Sequence, residues 1–418
     1  MSASPRSSSA LEPPGPIAYL TPEFPGQTHT WIWREVVHMR EWGVDIRLFS
    51  TQPPDDRSAA RHAFAEQART QTVYLWPRPL RSVVAAVAWA VLTRPRRFLR
   101  AIGLVLTLDG MSLRERAATA PLVAAACVFA REAAAQGIRH VHLHSAARSA
   151  VIAMMTQRLI GISYSIALNA NLEWWGGGMA AKLGRAEFTA VNANWLLDQV
   201  RNDYPDLLPS QVLLARPGVD TETWLPADRR SDDPSFELVT VARVHHAKGH
   251  DITIQALARL REGGRDVRLR IVGAGPELDS LRSLAEQLRV KEEVEFLGSV
   301  SEDEVVALLT AADAFVLASR FEPLGVAYME AMALGLPTVG TAAGGVGEII
   351  TSERDGLLVP PEDDERLATA VARLMDDPEL RRRLGENARQ TIVERFDSRI
   401  GAAGLYERLF GAPAPRAG

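Results

Sequence analysis

Two carboxylates, Glu322 and Glu330, stand eight positions apart in the run Arg320-Phe321-Glu322-Pro323-Leu324-Gly325-Val326-Ala327-Tyr328-Met329-Glu330-Ala331-Met332. The apolar residues 314–318 before them read as a buried strand and 327–334 as a helix. Glu322 is therefore expected at the C-terminal end of a strand and Glu330 more than one turn inside the helix that follows. In an open α/β sheet ligands bind at that edge, and a helix N-terminus there offers free N–H groups to phosphate. Carboxylates accept hydrogen bonds from hydroxyl groups. The pair thus suits a ligand carrying both hydroxyls and phosphate, and the flanking Gly325, Ala331, Met332, Gly335 and Pro337 argue against an accidental spacing.

Further residues fit the same chemistry. Arg243 offers a planar fork and Lys248 a point charge, so together they could neutralise a departing diphosphate. Gly273 and Gly275 follow an apolar run and precede a helix pattern, which permits close backbone approach to a ligand or serves turn geometry alone. Ser301 with Glu304 matches a helix capping box, which assigns the acidic triplet Glu302-Asp303-Glu304 to a helix start. No Asp-x-Asp occurs in the chain. His140, His142 and His144 alternate along one expected strand, but no carboxylate or cysteine in that run completes a ligand set, and no metal is expected. Gly26, Gln27 and Thr28 lie in the loop after the first expected strand. Trp174 and Trp175, ahead of three glycines, read either as a stacking platform on a mobile loop or as core.

These residues need two sheets to hold them. The 418 residues exceed what one core usually supports, and 47% are hydrophobic. Short apolar runs at 17–20, 44–49, 141–143, 163–168 and 187–191 suggest one parallel α/β unit, and the pattern repeats over 237–359. The expected organisation is a disordered tail over 1–15, a first domain over 16–215, a second over 216–395 beginning in a linker at 216–220, and a closing segment over 396–418. Helices are expected over 366–375 and 378–394. The net charge of -4 gives no reason to expect nucleic acid. The single cysteine, Cys127, reads as core. Met1 to Pro16 has no apolar centre, so a cytoplasmic protein is expected. Residues 69–108 hold seven arginines and no acid between apolar runs too short to span a bilayer. That pattern suits either peripheral contact through 78–108 with the inner face of a membrane or two buried helices with solvated ends.

The Glu322/Glu330 block resembles that of the family 4 retaining glycosyltransferases. Val241-Ala242-Arg243 with Lys248-Gly249, the turn at 271–276, the loop at 296–300, and the stretches 340–348 and 355–359 are similar to the family as well. The region 69–108 is similar to bacterial exopolysaccharide and colanic-acid-type transferases. The resemblance is dense from about 215 to 395. It implies the GT-B fold, two Rossmann-like α/β domains facing each other across a cleft, with the last helix packing back on the first domain. It also implies transfer of a sugar from a UDP- or GDP-type donor to an acceptor hydroxyl with retention of configuration, without metal or cofactor. On this reading Arg243 and Lys248 hold the leaving diphosphate, Glu322 contacts the sugar, and Glu330 holds the ribose. Leu324, Gly325, Val326, Gly273, Gly275, Val300 and Gly26 line the donor, while His144, Asn169, Thr28 and Trp174 lie on the acceptor or sugar side. Asn169 stands where many relatives carry a histidine, and an amide hydrogen-bonds but cannot carry a proton. The acceptor would be a glycan, a lipid-linked glycan or a small molecule. A non-catalytic nucleotide-sugar binder, or an epimerase or hydrolase on the same fold, remain the alternatives.

Overall fold

The computed structural model describes residues 15–55, 59–227 and 235–415, so the tail expected over 1–15 lies outside the described residues except for Gly15. The first domain holds β1 (Ile17–Glu23), β2 (Ile46–Gln52), β3 (Thr72–Tyr74), β4 (His140–Leu143), β5 (Ser163–Leu168), β6 (Thr189–Val191) and β7 (Val212–Leu214). They form one sheet in the order β3-β2-β1-β4-β5-β6-β7, with every pairing parallel. The second holds β8 (Phe236–Val241), β9 (Val267–Val272), β10 (Val294–Gly298), β11 (Ala314–Leu317), β12 (Thr338–Thr341) and β13 (Leu357–Val359), ordered β10-β9-β8-β11-β12-β13 and again all parallel. Parallel strands covered on both faces read as continuous apolar runs, as Ala314–Leu317 does with all four residues buried. The edge strands β3 and β7 are three residues each, too short to show in the sequence pattern.

Strand order reverses between β1 and β4 in the first sheet and between β8 and β11 in the second. Loops leaving adjacent strands there run to opposite faces and open a crevice at the C-terminal edge. The loop after β1 and residue His144 after β4 border the first crevice, while Arg243 after β8 and Glu322 after β11 border the second.

The last two helices join the domains. Pro378–Arg395 packs Ala388 and Ile392 among Met329 and Met332 of the Val326–Ala333 helix. Ser398–Phe410 then crosses to the first sheet, where Leu405, Leu409 and Phe410 pack with Tyr19, Val36 and Met39. The expected linker at 216–220 is pinned at the same place: Val219, fully buried, bridges Asp397, and Ser398 donates its N–H to the Val219 carbonyl at 2.9 Å.

Two expectations change. The glycines after Trp175 are fixed rather than mobile, since Gly178 donates to the Asp109 carbonyl at 2.7 Å and a Cβ on Gly177 would lie 2.6 Å from the Gly110 oxygen. The helices Leu80–Thr93 and Pro95–Leu106 are buried along one face only: Ala86, Ala90, Ala101, Leu104 and Val105 are buried and Val83, Val87, Trp89 and Phe98 pack half-buried against the core, while the opposite face is exposed.

Candidate active site between the two sheets

At the end of β8 the chain turns through the short His246–Lys248 helix. Lys248 Nζ lies 2.6 Å from Glu322 Oε2, and Ser319 Oγ donates to the same oxygen at 3.3 Å. Glu322 is buried and backed by glycines, its carbonyl accepting from Gly345 N–H at 2.9 Å. Gly325 stands at φ 107° before the Val326–Ala333 helix, whose first internal bond is Tyr328 N–H to the Gly325 carbonyl at 3.1 Å. The N–H groups of Val326 and Ala327 precede that bond and face outward from the helix start. Arg243 is exposed, with no ion-pair partner among the described residues. A lysine paired with a buried carboxylate, a free guanidinium and a helix N-terminus thus meet at one sheet edge. This can cradle a diphosphate with hydroxyl-bearing groups on either side.

Gly273 and Gly275 are required by packing whether or not a ligand approaches them. A Cβ on either would lie 1.9 Å from a backbone oxygen, of Ala242 and Val244 respectively, so their small size is required for the loops after β8 and β9 to pack together.

The first domain closes over this edge. Arg34, on the Thr30–Glu41 helix, is buried and bonds both Glu330 and Glu302 at 3.0 Å, with its guanidinium 5.5 Å from the Trp224 ring centroid. Burial raises the Glu330 carboxyl above its ordinary range, Arg34 lowers it, and the nearby Glu302 adds to the rise. Gln27 donates to the Val300 carbonyl at 2.9 Å and Arg61 to the Ser299 carbonyl at 2.9 Å. Trp195 Nε1 donates to the Pro323 carbonyl at 2.7 Å. Glu348 accepts from Asn194 N–H at 2.7 Å and from Arg216 at 2.7 Å, capping a first-domain helix from across the cleft. Arg34, Trp195 and Glu348 gave no sequence signal for these contacts, since each partner lies more than a hundred residues away.

Residues 224–391 match the family described as Glycosyl transferases group 1. The second domain is a glycosyl transferases group 1 domain. Among curated relatives, glycogen synthase of Mycobacterium tuberculosis is 37% identical over 188 residues, 45% of this chain and 45% of its own. The putative colanic acid biosynthesis glycosyltransferase WcaL of Escherichia coli is 34% identical over 198 residues, 46% and 48% of the two chains. The chain spans about half the length of the curated relatives it matches. The similarity of fold extends further: HepE of Anabaena, solved with UDP-glucose, superposes with a TM-score of 0.72 over 95% of this chain and 100% of its own at 16% identity. Both sheets together therefore have the GT-B fold, with the group 1 domain supplying Lys248, Glu322 and Glu330.

On the facing side Gly26 is buried, its N–H donating to His29 Nδ1 at 3.0 Å, and Thr28 is exposed at the loop tip. Asn169 lines a cavity of about 40 Å³ with Trp31, Glu35, His142, Asn192 and Arg216. The tryptophan pair splits its roles. Trp174 is exposed and lies 6.3 Å from the Phe321 ring opposite the group 1 domain, whereas Trp175 packs on the core with Nε1 bonded to the Ala170 carbonyl at 3.3 Å. The histidine run does gain a carboxylate. Glu35, from the Thr30–Glu41 helix, places Oε1 3.4 Å from His144 Nε2, and folding alone brings it there.

Proposed function

We propose that this chain transfers a sugar from a nucleoside diphosphate donor to an acceptor hydroxyl with retention of configuration. The observation that carries the reading is the Lys248–Glu322 pair at the switch point of the group 1 domain, beside the helix N-terminus and the unpartnered Arg243. Arg243 and Lys248 would neutralise the leaving diphosphate, with Val326 and Ala327 N–H groups completing the cradle. Glu322 would accept from a sugar hydroxyl and Glu330 from the ribose. Arg34, Gln27 and Trp195 already bond groups on this edge, so a donor would have to exchange partners with them on entry. The departing phosphate could itself take the acceptor's proton on the shared face, so Asn169 need only bind. No cofactor is called for, and the donor is of the UDP or GDP type.

We place the acceptor side near a membrane. Seven of the twelve large hydrophobic side chains exposed among the described residues lie between Trp76 and Leu106, beside the exposed Arg81, Arg96, Arg97 and Arg100. An apolar face rimmed by arginine suits the anionic inner leaflet and a lipid-linked glycan acceptor.

A panel of nucleotide sugars, followed by thermal stabilisation and nucleoside diphosphate release, tests the reading. Stabilisation by one donor, with release accelerated by acceptor and an unchanged anomeric configuration in the product, is expected. No stabilisation by any nucleotide sugar would overturn the donor site, and inversion would overturn the mechanism.

A further inference from the structure

Beneath the loop after β1, polar side chains converge that sugar transfer does not require. His142 is fully buried and His144 nearly so, their rings 4.9 Å apart at 89°. His144 Nε2 and Nδ1, His142 Nε2 and Glu35 Oε1 are all buried without a hydrogen-bond partner. One donor atom from each of the three residues falls within 4.8 Å of the others. Burial and the adjacent Glu35 carboxylate push the neighbouring Tyr19 phenol well above its usual range, so it keeps its proton.

A run of hydrogen bonds engages Nδ1 of His142 and leaves its Nε2 without one. Ser163 Oγ lies 2.7 Å from His140 Nδ1. Ser165 Oγ lies 2.8 Å from His140 Nε2 and shares a hydrogen bond with His142 Nδ1 at 2.7 Å. In the tautomer whose Nδ1–H donates to Ser165, the buried and unpartnered His142 Nε2 offers a lone pair, with a hydroxyl behind the ring to hold its orientation as for a ligating imidazole in metal sites.

We propose that Glu35, His142 and His144 bind a divalent cation of the zinc class. Two imidazoles and one carboxylate form a known donor set for such ions, with a fourth position left for water. Bond lengths of about 2.0–2.1 Å put ligand atoms of a tetrahedral site roughly 3.3 Å apart, and the His144–Glu35 separation is 3.4 Å. The cavity bordering Glu35 and His142 gives room for the remaining contraction and for the water. Arg216, the cation nearest that cavity, is engaged by Glu348 at 2.7 Å. The ion would tie the Thr30–Glu41 helix to the end of β4, and the assignment stands apart from the sugar-transfer reading.

Untagged, chelator-treated protein titrated with Co²⁺ should take up one equivalent, show the visible bands of a four-coordinate nitrogen and oxygen site, release the ion to Zn²⁺ and melt higher when loaded. Ser165→Ala leaves every ligand in place and should weaken binding about 10- to 100-fold. Glu35→Gln should abolish it. X-ray absorption of the Zn²⁺-loaded wild-type protein, which needs no variant to fold, should show two imidazole ligands. Failure of the wild-type protein to take up Co²⁺ or Zn²⁺, affinity unchanged in both variants, or a spectrum without two imidazoles would each overturn the site and leave ordered water in the cavity.

Discussion

Arg243 and Lys248 carry similar charge but meet different surroundings, and the contrast separates chemistry from stability. Either one replaced by alanine should lower turnover about 10²- to 10³-fold, the usual cost of losing one group that stabilises developing charge, read as nucleoside diphosphate release. Arg243→Ala removes an exposed side chain and should change stability by no more than about 0.5 kcal/mol. Lys248→Ala leaves Glu322 buried without its ion partner and should cost roughly 3 kcal/mol in denaturant unfolding. Equal stability losses in the two variants would contradict the ion pair on buried Glu322. His250 supplies a pH marker. Burial lowers its pKa from 6.5 to about 4, and its Nε2 bonds the Arg243 carbonyl at 3.2 Å. Because the folded value is the lower one, its contribution is complete above pH 6.5 and is lost as pH falls toward 4, reaching about 2 kcal/mol at pH 5. Melting temperature followed from pH 7 to 5 should fall less steeply in His250→Gln than in the wild-type protein.

The Leu80–Thr93 and Pro95–Leu106 helices give one face to the core and leave the other to solvent. Their buried residues are mostly alanine, while Leu80, Leu92, Leu99 and Leu106 are 76%, 79%, 68% and 65% exposed. The Arg116–Ala135 segment, long and apolar enough to cross a membrane by length and composition, instead turns Leu122, Cys127 and Phe129 into the first domain. Burial raises the Cys127 thiol to about 11. Leu92→Asp with Leu99→Asp should abolish cosedimentation with vesicles containing anionic lipid and leave melting temperature nearly unchanged. Raising salt should weaken wild-type binding, since arginine supplies part of the attraction. Binding that survives both changes would move the membrane face elsewhere.

Across the whole molecule, Arg34 couples the domains more than any other side chain described, reaching Gly218, Glu302, Glu330 and the Trp224 ring. Arg34→Ala strands Glu330 in a buried site and should cost roughly 3 kcal/mol. Small-angle scattering should report a larger radius of gyration as the cleft loosens. Arg34→Ala with Glu330→Gln should recover part of the stability, because the uncompensated charge is gone, whereas additive losses would mean that the two residues do not interact.

The second domain was legible from sequence because its chemistry is local. Lys248 and Glu322 follow strand ends and Glu330 sits in the helix beyond, elements that apolar runs announce, and the period of those runs already implied two parallel sheets. The glycines at 273 and 275 were visible, but their purpose depended on which backbone packs against them. Glu35 beside His144, Arg34 on Glu330, and Trp174 set apart from Trp175 were not visible, since each is a meeting between segments that share no periodicity and are brought together by packing. Local sequence determined the elements and the groups each presents at its end. Only the tertiary structure decided which of those groups face one another, because that follows from how the two sheets and the crossing C-terminal helix bury their apolar faces.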